Sequence, residues 1–158
     1  MGIKIATWNI NSIRLREPLI CRFLNEEYPH ILCLQECKSP IDKMPSESFL
    51  RLGYKYFIAR GQKSYNGVAI ISRIPIIDNG SIDYCGNGDA RHVSGITESG
   101  IKIENFYIPA GGDLPDRKQN KKFDVKLKFL AEMERNFKLS KLKKTIILGD
   151  FNIAPRAD

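Results

Sequence analysis

Short apolar runs that end on a polar residue, with helix-period segments between them, constrain this chain more than any other feature. "IKIATWNI" alternates Ile3, Ile5, Thr7 and Asn9 with Lys4, Ala6 and Trp8, the period of a strand. "REPLICRFLNEEYP" carries Ile20, Phe23, Leu24 and Tyr28 near helical spacing, with Pro18 tolerable in a first turn and Pro29 closing the segment. "ILCLQE" is the next strand, with Leu32, Leu34 and Glu36 on one face, so Glu36 ends a buried strand.

The alternation continues. "PSESFLRLG" predicts a short helix with Gly53 just past its end, and "YKYFIAR" and "GVAIIS" predict strands around the loop "GQKSYNG". "NGSIDYCGNGD" is polar and glycine-rich enough for a surface loop, and "GIKIENFYIP" is another alternating strand. Phe123, Leu127, Leu130, Met133 and Phe137 step by four, three, three and four, the apolar stripe of an amphipathic helix that leads into the strand "TIILGD". Strand and helix in alternation place the chain in the α/β class. With 158 residues, 42% of them hydrophobic, it supports one domain and not two full-sized ones.

Charge is concentrated. The net charge is +7, yet residues 117–144 alone hold eleven basic and three acidic side chains. A solvated helix face and a polyanion-facing surface both explain such a run. Cys21, Cys33, Cys37 and Cys85 lack the paired spacing of a zinc site and are too few and scattered for a disulfide framework, so they read as reduced thiols filling the core. There is no run of eighteen apolar residues, and "MGIKIATWNI" has no apolar signal region. The expectation is a cytoplasmic protein without a membrane span.

The chemistry gathers at strand ends. Asn9, Glu36, Tyr107, Asp150 and Asn152 lie at or just beyond the carboxyl ends of predicted strands, where open α/β sheets build their sites. Each has a plain alternative: Asn9 suits a turn, Glu36 a solvated strand terminus, Tyr107 a core aromatic with a wet hydroxyl. Asp150, directly after three apolar residues and a glycine, must be solvated, capping a helix or working. As a set, carboxylates and amide oxygens suit Mg²⁺, a second carboxylate can activate water, and a phenol can hold a phosphate oxygen. That is the inventory of a phosphodiesterase.

"TWNINSIRLR", "LQECK", "GQKSYNGVAIIS", "YIPAGGDLPD" with the following "KF" and "KLKFL", and "LGDFNIAP" together resemble, in order and spacing, the exonuclease III family of abasic-site endonucleases, over the whole chain. The resemblance implies a DNase I-like four-layer α/β sandwich, two mainly antiparallel sheets packed face to face with helices outside. It also implies a metal-dependent DNA repair enzyme that cuts duplex DNA 5′ to abasic sites and trims 3′ ends. Glu36 is then the main Mg²⁺ or Mn²⁺ ligand, with Asn9 beside it. Asp150 accepts a proton from the attacking water close to the metal, and Asn152 and Tyr107 hold the scissile phosphate. Tyr65 and Asn66 lie on a DNA-facing loop, and Arg14 adds a backbone contact.

Family members continue well beyond the Asp-x-Asn motif to a late carboxylate and a terminal Asp-His pair. Neither segment is present in these 158 residues, and His30 and His92 read as a strand-edge residue and a sheet residue. The expectation is therefore a single incomplete domain over residues 1–158, with much of the second sheet absent and an uncovered apolar inner face. Three readings follow from it. One is a nuclease completed by a C-terminal fragment, another a truncated or decayed product inactive alone, and the third a noncatalytic remnant that binds DNA through its basic helix and the "GQKSYNG" loop.

Overall fold

The computed structural model describes residues 2–138 and 143–153. The expectations attached to the closing "RAD" and to the end of the basic stretch at 139–142 lie outside those residues.

Among the described residues, eight strands and three α-helices alternate in the order β1 (Ile5–Asn9), α1 (Glu17–Glu27), β2 (Ile31–Gln35), α2 (Ser46–Arg51), β3 (Tyr56–Arg60), β4 (Val68–Ser72), β5 (Ile76–Asp78), β6 (His92–Thr97), β7 (Lys102–Tyr107), α3 (Lys121–Asn136) and β8 (Thr145–Asp150). They build two four-stranded sheets, one ordered β1-β2-β4-β3 and the other β5-β6-β7-β8. Only β1–β2 and β7–β8 run parallel. The other neighbouring pairs are antiparallel.

Three apolar layers hold this together. Between the sheets, Ile31, Cys33, Ile58, Val68 and Ile70 of the first meet Ile76, Val93 and Ile103 of the second. The inner face that the sequence suggested was uncovered is thus covered, because β5–β8 supply a sheet as wide as the first. On the outer side of the first sheet, Leu32, Leu34, Ala69 and Ile71 pack beneath Ile20 and Leu24 of α1 and Phe49 of α2. This explains why β2 is buried at all five positions and reads as a continuous apolar run. On the outer side of the second sheet, Phe106 of β7 and Phe129 of α3 enclose Tyr84, whose ring centre is 4.5 Å from that of Phe129. The architecture is four layers, helix–sheet–sheet–helix.

Several local expectations shift. Tyr28 does not line the buried face of α1; it caps the helix in the left-handed conformation (φ 45°), exposes 55% of its surface and lies under the Arg73 guanidinium. The buried stripe of α3 is centred on Phe129, with Leu130, Met133 and Phe137 packed beside it. It is rotated away from Phe123 and Leu127 because the second sheet presents Phe106 and the Tyr84 turn as its socket. The loop at 79–89 is no mere surface loop, since Tyr84 within it is 2% exposed. Gly53 does follow α2 with φ 90°, as a helix-ending glycine should. Among the described residues all four cysteines are free, and Cys33 and Cys37 are fully buried. No described helix is long and apolar enough to cross a membrane.

Candidate active site

Both parallel pairs end at the same rim. β1 and β2 stop at Asn9 and Gln35, and β7 and β8 stop at Tyr107 and Asp150, so the carboxyl ends of four strands from two sheets converge. Backbone hydrogen bonds then stitch the loops that follow. Ser12 N–H donates to the Glu36 carbonyl at 2.7 Å, Ile13 N–H to Cys37 at 3.0 Å, and Lys38 N–H to the Asn66 carbonyl at 2.8 Å.

Strand alternation places Glu36 with Leu32 and Leu34, under α1. The structure places it on the other side. The backbone at Glu36 is left-handed (φ 53°), which turns the carboxylate toward the gap between the sheets. There Oε1 accepts from Asn9 Nδ2 at 2.8 Å and from the Tyr107 hydroxyl at 2.9 Å. Oε2 pairs with Lys38 Nζ at 2.8 Å. Non-glycine residues pay for such a conformation, and they hold it where the surroundings over-determine it. Burial pushes the Glu36 carboxyl up, but the bonds from Asn9, Lys38 and Tyr107 outweigh it and hold its pKa below the ordinary glutamate value. Burial, followed by the neighbouring Glu36, pushes the Tyr107 phenol up to about 12, so it stays a donor.

Asp150 completes the cluster. Its Oδ2 accepts from Asn9 Nδ2 at 2.8 Å, so one amide nitrogen bridges two carboxylates. Its Oδ1 accepts the Asn152 N–H at 3.0 Å, closing a tight turn in which Asn152 has φ 50°. No helix starts in residues 151–153, so Asp150 is not a helix cap there. The Asn152 amide donates to the Ile108 carbonyl at 2.9 Å, and Lys126 Nζ donates to the Asn152 carbonyl. Asn9 is both things the sequence allowed: its Oδ1 accepts the Asn11 N–H in a turn at 3.2 Å while its Nδ2 enters the cluster.

Of the expected residues, then, Asn9, Glu36, Tyr107 and Asp150 meet directly, with Asn152 one turn beyond. Tyr65 is 69% exposed on its loop, and Arg14 is exposed beyond Ile13 without an ion pair among the described residues. Asn66 differs. It is 9% exposed, and its amide donates to Gln62 at 2.9 Å and to Asp89 at 3.0 Å, so it holds the loop that displays Tyr65 and does not itself face outward. His92 is bound to buried Glu104 at 2.9 Å, and His30 accepts the Lys4 N–H at 2.9 Å. Neither histidine is among the partners of the four-residue cluster.

Lys38, Arg91 and Lys126 escaped the sequence reading. Lys38 and Lys126 stand inside the quoted stretches "LQECK" and "KLKFL" and were open to notice; Arg91 is recruited from afar. The Arg91 guanidinium lies 4.8 Å from the centre of the Tyr107 ring. Next to it opens a cavity of about 550 Å³ lined by Tyr65, Arg91, Tyr107, Lys121 and Lys122.

Among the described residues no cluster has three or more His, Cys, Asp or Glu side chains able to hold a metal ion. Two carboxylates joined through one amide are nonetheless an oxygen donor set that fits Mg²⁺ or Mn²⁺, of which the former usually takes one or two carboxylates and keeps several waters.

The model of the endonuclease/exonuclease/phosphatase family matches residues 6–158. The chain belongs to that family. It is 29% identical over 160 residues to the exodeoxyribonuclease III of Haemophilus influenzae, an alignment covering 97% of this chain and 58% of that one. Among solved structures it resembles an AP endonuclease from Archaeoglobus fulgidus, with TM-score 0.86, 31% identity and coverage of 98% of this chain and 59% of that one. It also resembles a 3′ phosphatase from Neisseria bound to a product DNA hairpin, with TM-score 0.84, 32% identity and coverage of 98% and 60%. Family membership and the mixed α/β fold of two sheets therefore stand together. The chain spans about three-fifths of the length of these relatives.

Proposed function

We propose that this chain carries the cation- and water-handling part of a metal-dependent DNA phosphodiesterase that incises 5′ to abasic sites and trims 3′ ends. The observation that carries the reading is the Asn9 amide held between Glu36 and Asp150 at 2.8 Å on either side, with the Tyr107 hydroxyl on the same Glu36 oxygen. Glu36, helped by Asn9 and Asp150, would hold Mg²⁺ or Mn²⁺, which when bound polarises a phosphate oxygen and favours hydroxide over water. Asp150 accepts the proton of the attacking water. Tyr107 and Asn152 donate to the phosphate oxygens, Tyr107 by turning its single O–H from Glu36 and Asn152 by giving up its bond to the Ile108 carbonyl. Arg91 and Lys38 add positive charge where a phosphate must be desolvated.

Duplex DNA would lie across the rim, touching Arg14 and the Tyr65 loop, with the buried Asn66 supporting that loop. We place the chain in the cytoplasm, as the sequence led us to expect. No histidine joins the cluster, and groups that act as a unit fail together. Hydrolysis is accordingly expected to need residues beyond these 158.

The test is incubation of the purified chain, and of the chain supplied with whatever continues it, with an abasic duplex in Mg²⁺ or EDTA. Metal-dependent incision in the longer form and none in EDTA supports the reading. Salt-dependent binding by both forms with no incision by either would replace it with a noncatalytic DNA-binding role.

A further inference from the structure

The layer between the two sheets is mainly apolar, and just inside the rim a buried side-chain amide crosses it. Asn105 on β7 is fully buried. Its Nδ2 donates across the gap to the Leu34 carbonyl of β2 and the Ala69 carbonyl of β4, at 3.0 Å each. Its Oδ1 accepts from Gln35 Nε2 at 2.7 Å, and Gln35 also donates to Thr7 Oγ1 of β1 at 3.0 Å. Leu34 and Ala69 are register partners, so one amide straddles a rung of the opposite sheet. Tyr107 follows Asn105 by two residues on the same face of β7, and Glu36 follows Leu34 by two. The next contact out from the Asn105 rung is the 2.9 Å bond from Tyr107 to Glu36.

We propose that Asn105 is a positioning residue for the candidate site, setting the register of the second sheet on the first so that the Tyr107 hydroxyl meets the Glu36 carboxylate. The apolar layer cannot do this, because hydrophobic contact is non-directional and tolerates small slips of one sheet over the other. A side chain bonded at once to two strands of the opposing sheet and to Gln35 loses all three bonds in such a slip. In a low-dielectric interior those losses are severe, so the register is held. The proposal rests on Tyr107 and Glu36 forming the site described above, but it concerns their bond and not the reaction.

The experiment therefore reads the bond. 3-Fluorotyrosine is placed at position 107 of the full chain and its fluorine resonance is followed at neutral pH, without metal, in the wild type, E36Q, N105L and N105L/E36Q. The E36Q change moves the resonance in the wild-type background. In the N105L background it is expected to move it by less than half as much, because the hydroxyl has already left the carboxylate. A displacement by E36Q of the same size in both backgrounds overturns the proposal, whatever N105L does to the melting temperature. If N105L does not give a native near-ultraviolet spectrum, N105S carries the same comparison, since its shorter hydroxyl cannot span both carbonyls. The result does not depend on whether the site is a nuclease, so failure of that assignment would be seen separately in the incision assay.

Discussion

Asn9 Nδ2 lies 2.8 Å from Asp150 Oδ2, although 141 positions separate the two residues. The same nitrogen lies 2.8 Å from Glu36 Oε1. With both protons of one amide committed to two carboxylates, Asn9 is the piece that lets them approach without a cation.

Asn9→Ala is expected to destabilise the metal-free chain by about 1–3 kcal/mol, the cost of leaving partly buried acceptors unmatched. Saturating Mg²⁺ should recover part of the loss by neutralising the exposed pair of carboxylates and by binding the native state alone. Urea denaturation at neutral pH with and without the ion measures both effects, and a variant as stable as the parent would show that the bridge contributes nothing.

Glu36 should shape the acid limb of stability. Its folded pKa lies below the ordinary glutamate value of 4.5, so its contribution is fully present above that value and is lost as the pH falls through the lowered one. Glu36→Gln flattens the profile in that window. Lys38→Met, which removes one of the lowering partners, moves the loss toward higher pH. Denaturation midpoints from about pH 6 to pH 3 decide it, the expectation failing if all three proteins share one acid limb.

Gly149 explains the glycine in "LGDFN". Its φ is 134°, and a Cβ there would stand 2.0 Å from the Phe106 carbonyl oxygen, its register partner on β7. Backbone on both sides leaves no flexible atom to move. Gly149→Ala should therefore cost about 3 kcal/mol or more and displace Asp150. A melting temperature within a degree of the parent's would contradict this.

Arg14 and Tyr65 should separate two kinds of DNA contact. Arg14→Ala is expected to weaken binding to any duplex and to reduce the salt slope by about 0.9, one phosphate's worth. Tyr65→Ala should weaken binding with the slope unchanged, since it carries no charge. Anisotropy titrations of a duplex at several salt concentrations distinguish them, and equal slope changes in both would remove the assignment.

Most strands and all three helices were legible, because each buries a face whose periodicity is written locally. The residues of the cluster were legible too, as polar groups at strand ends. The short β5 and β6 were not, since three residues show no period and "HVSGIT" is buried on both faces without an apolar alternation. The stripe of α3 was misplaced by a fraction of a turn because Phe106 and Tyr84, remote in the chain, supply the socket for Phe129. Asn66 looked like an outward contact because nothing local shows that Gln62 and Asp89 take its amide. Asn105 was passed over because a polar residue within an alternating strand reads as solvent-facing until a second sheet is placed against it.

The sequence by itself determined the alternation of elements, the family and the identities of Asn9, Glu36, Tyr107, Asp150 and Asn152, since strand period, caps and motif spacing are local properties. Only the tertiary structure decided how those residues meet. The turn of Glu36 away from its own strand face, the Asn9 bridge and the Asn105 tie are contacts among separate strands, which one chain's local pattern does not encode. Each exists because two sheets, brought together by a non-directional apolar layer, are held in register by a few directional hydrogen bonds at its edge.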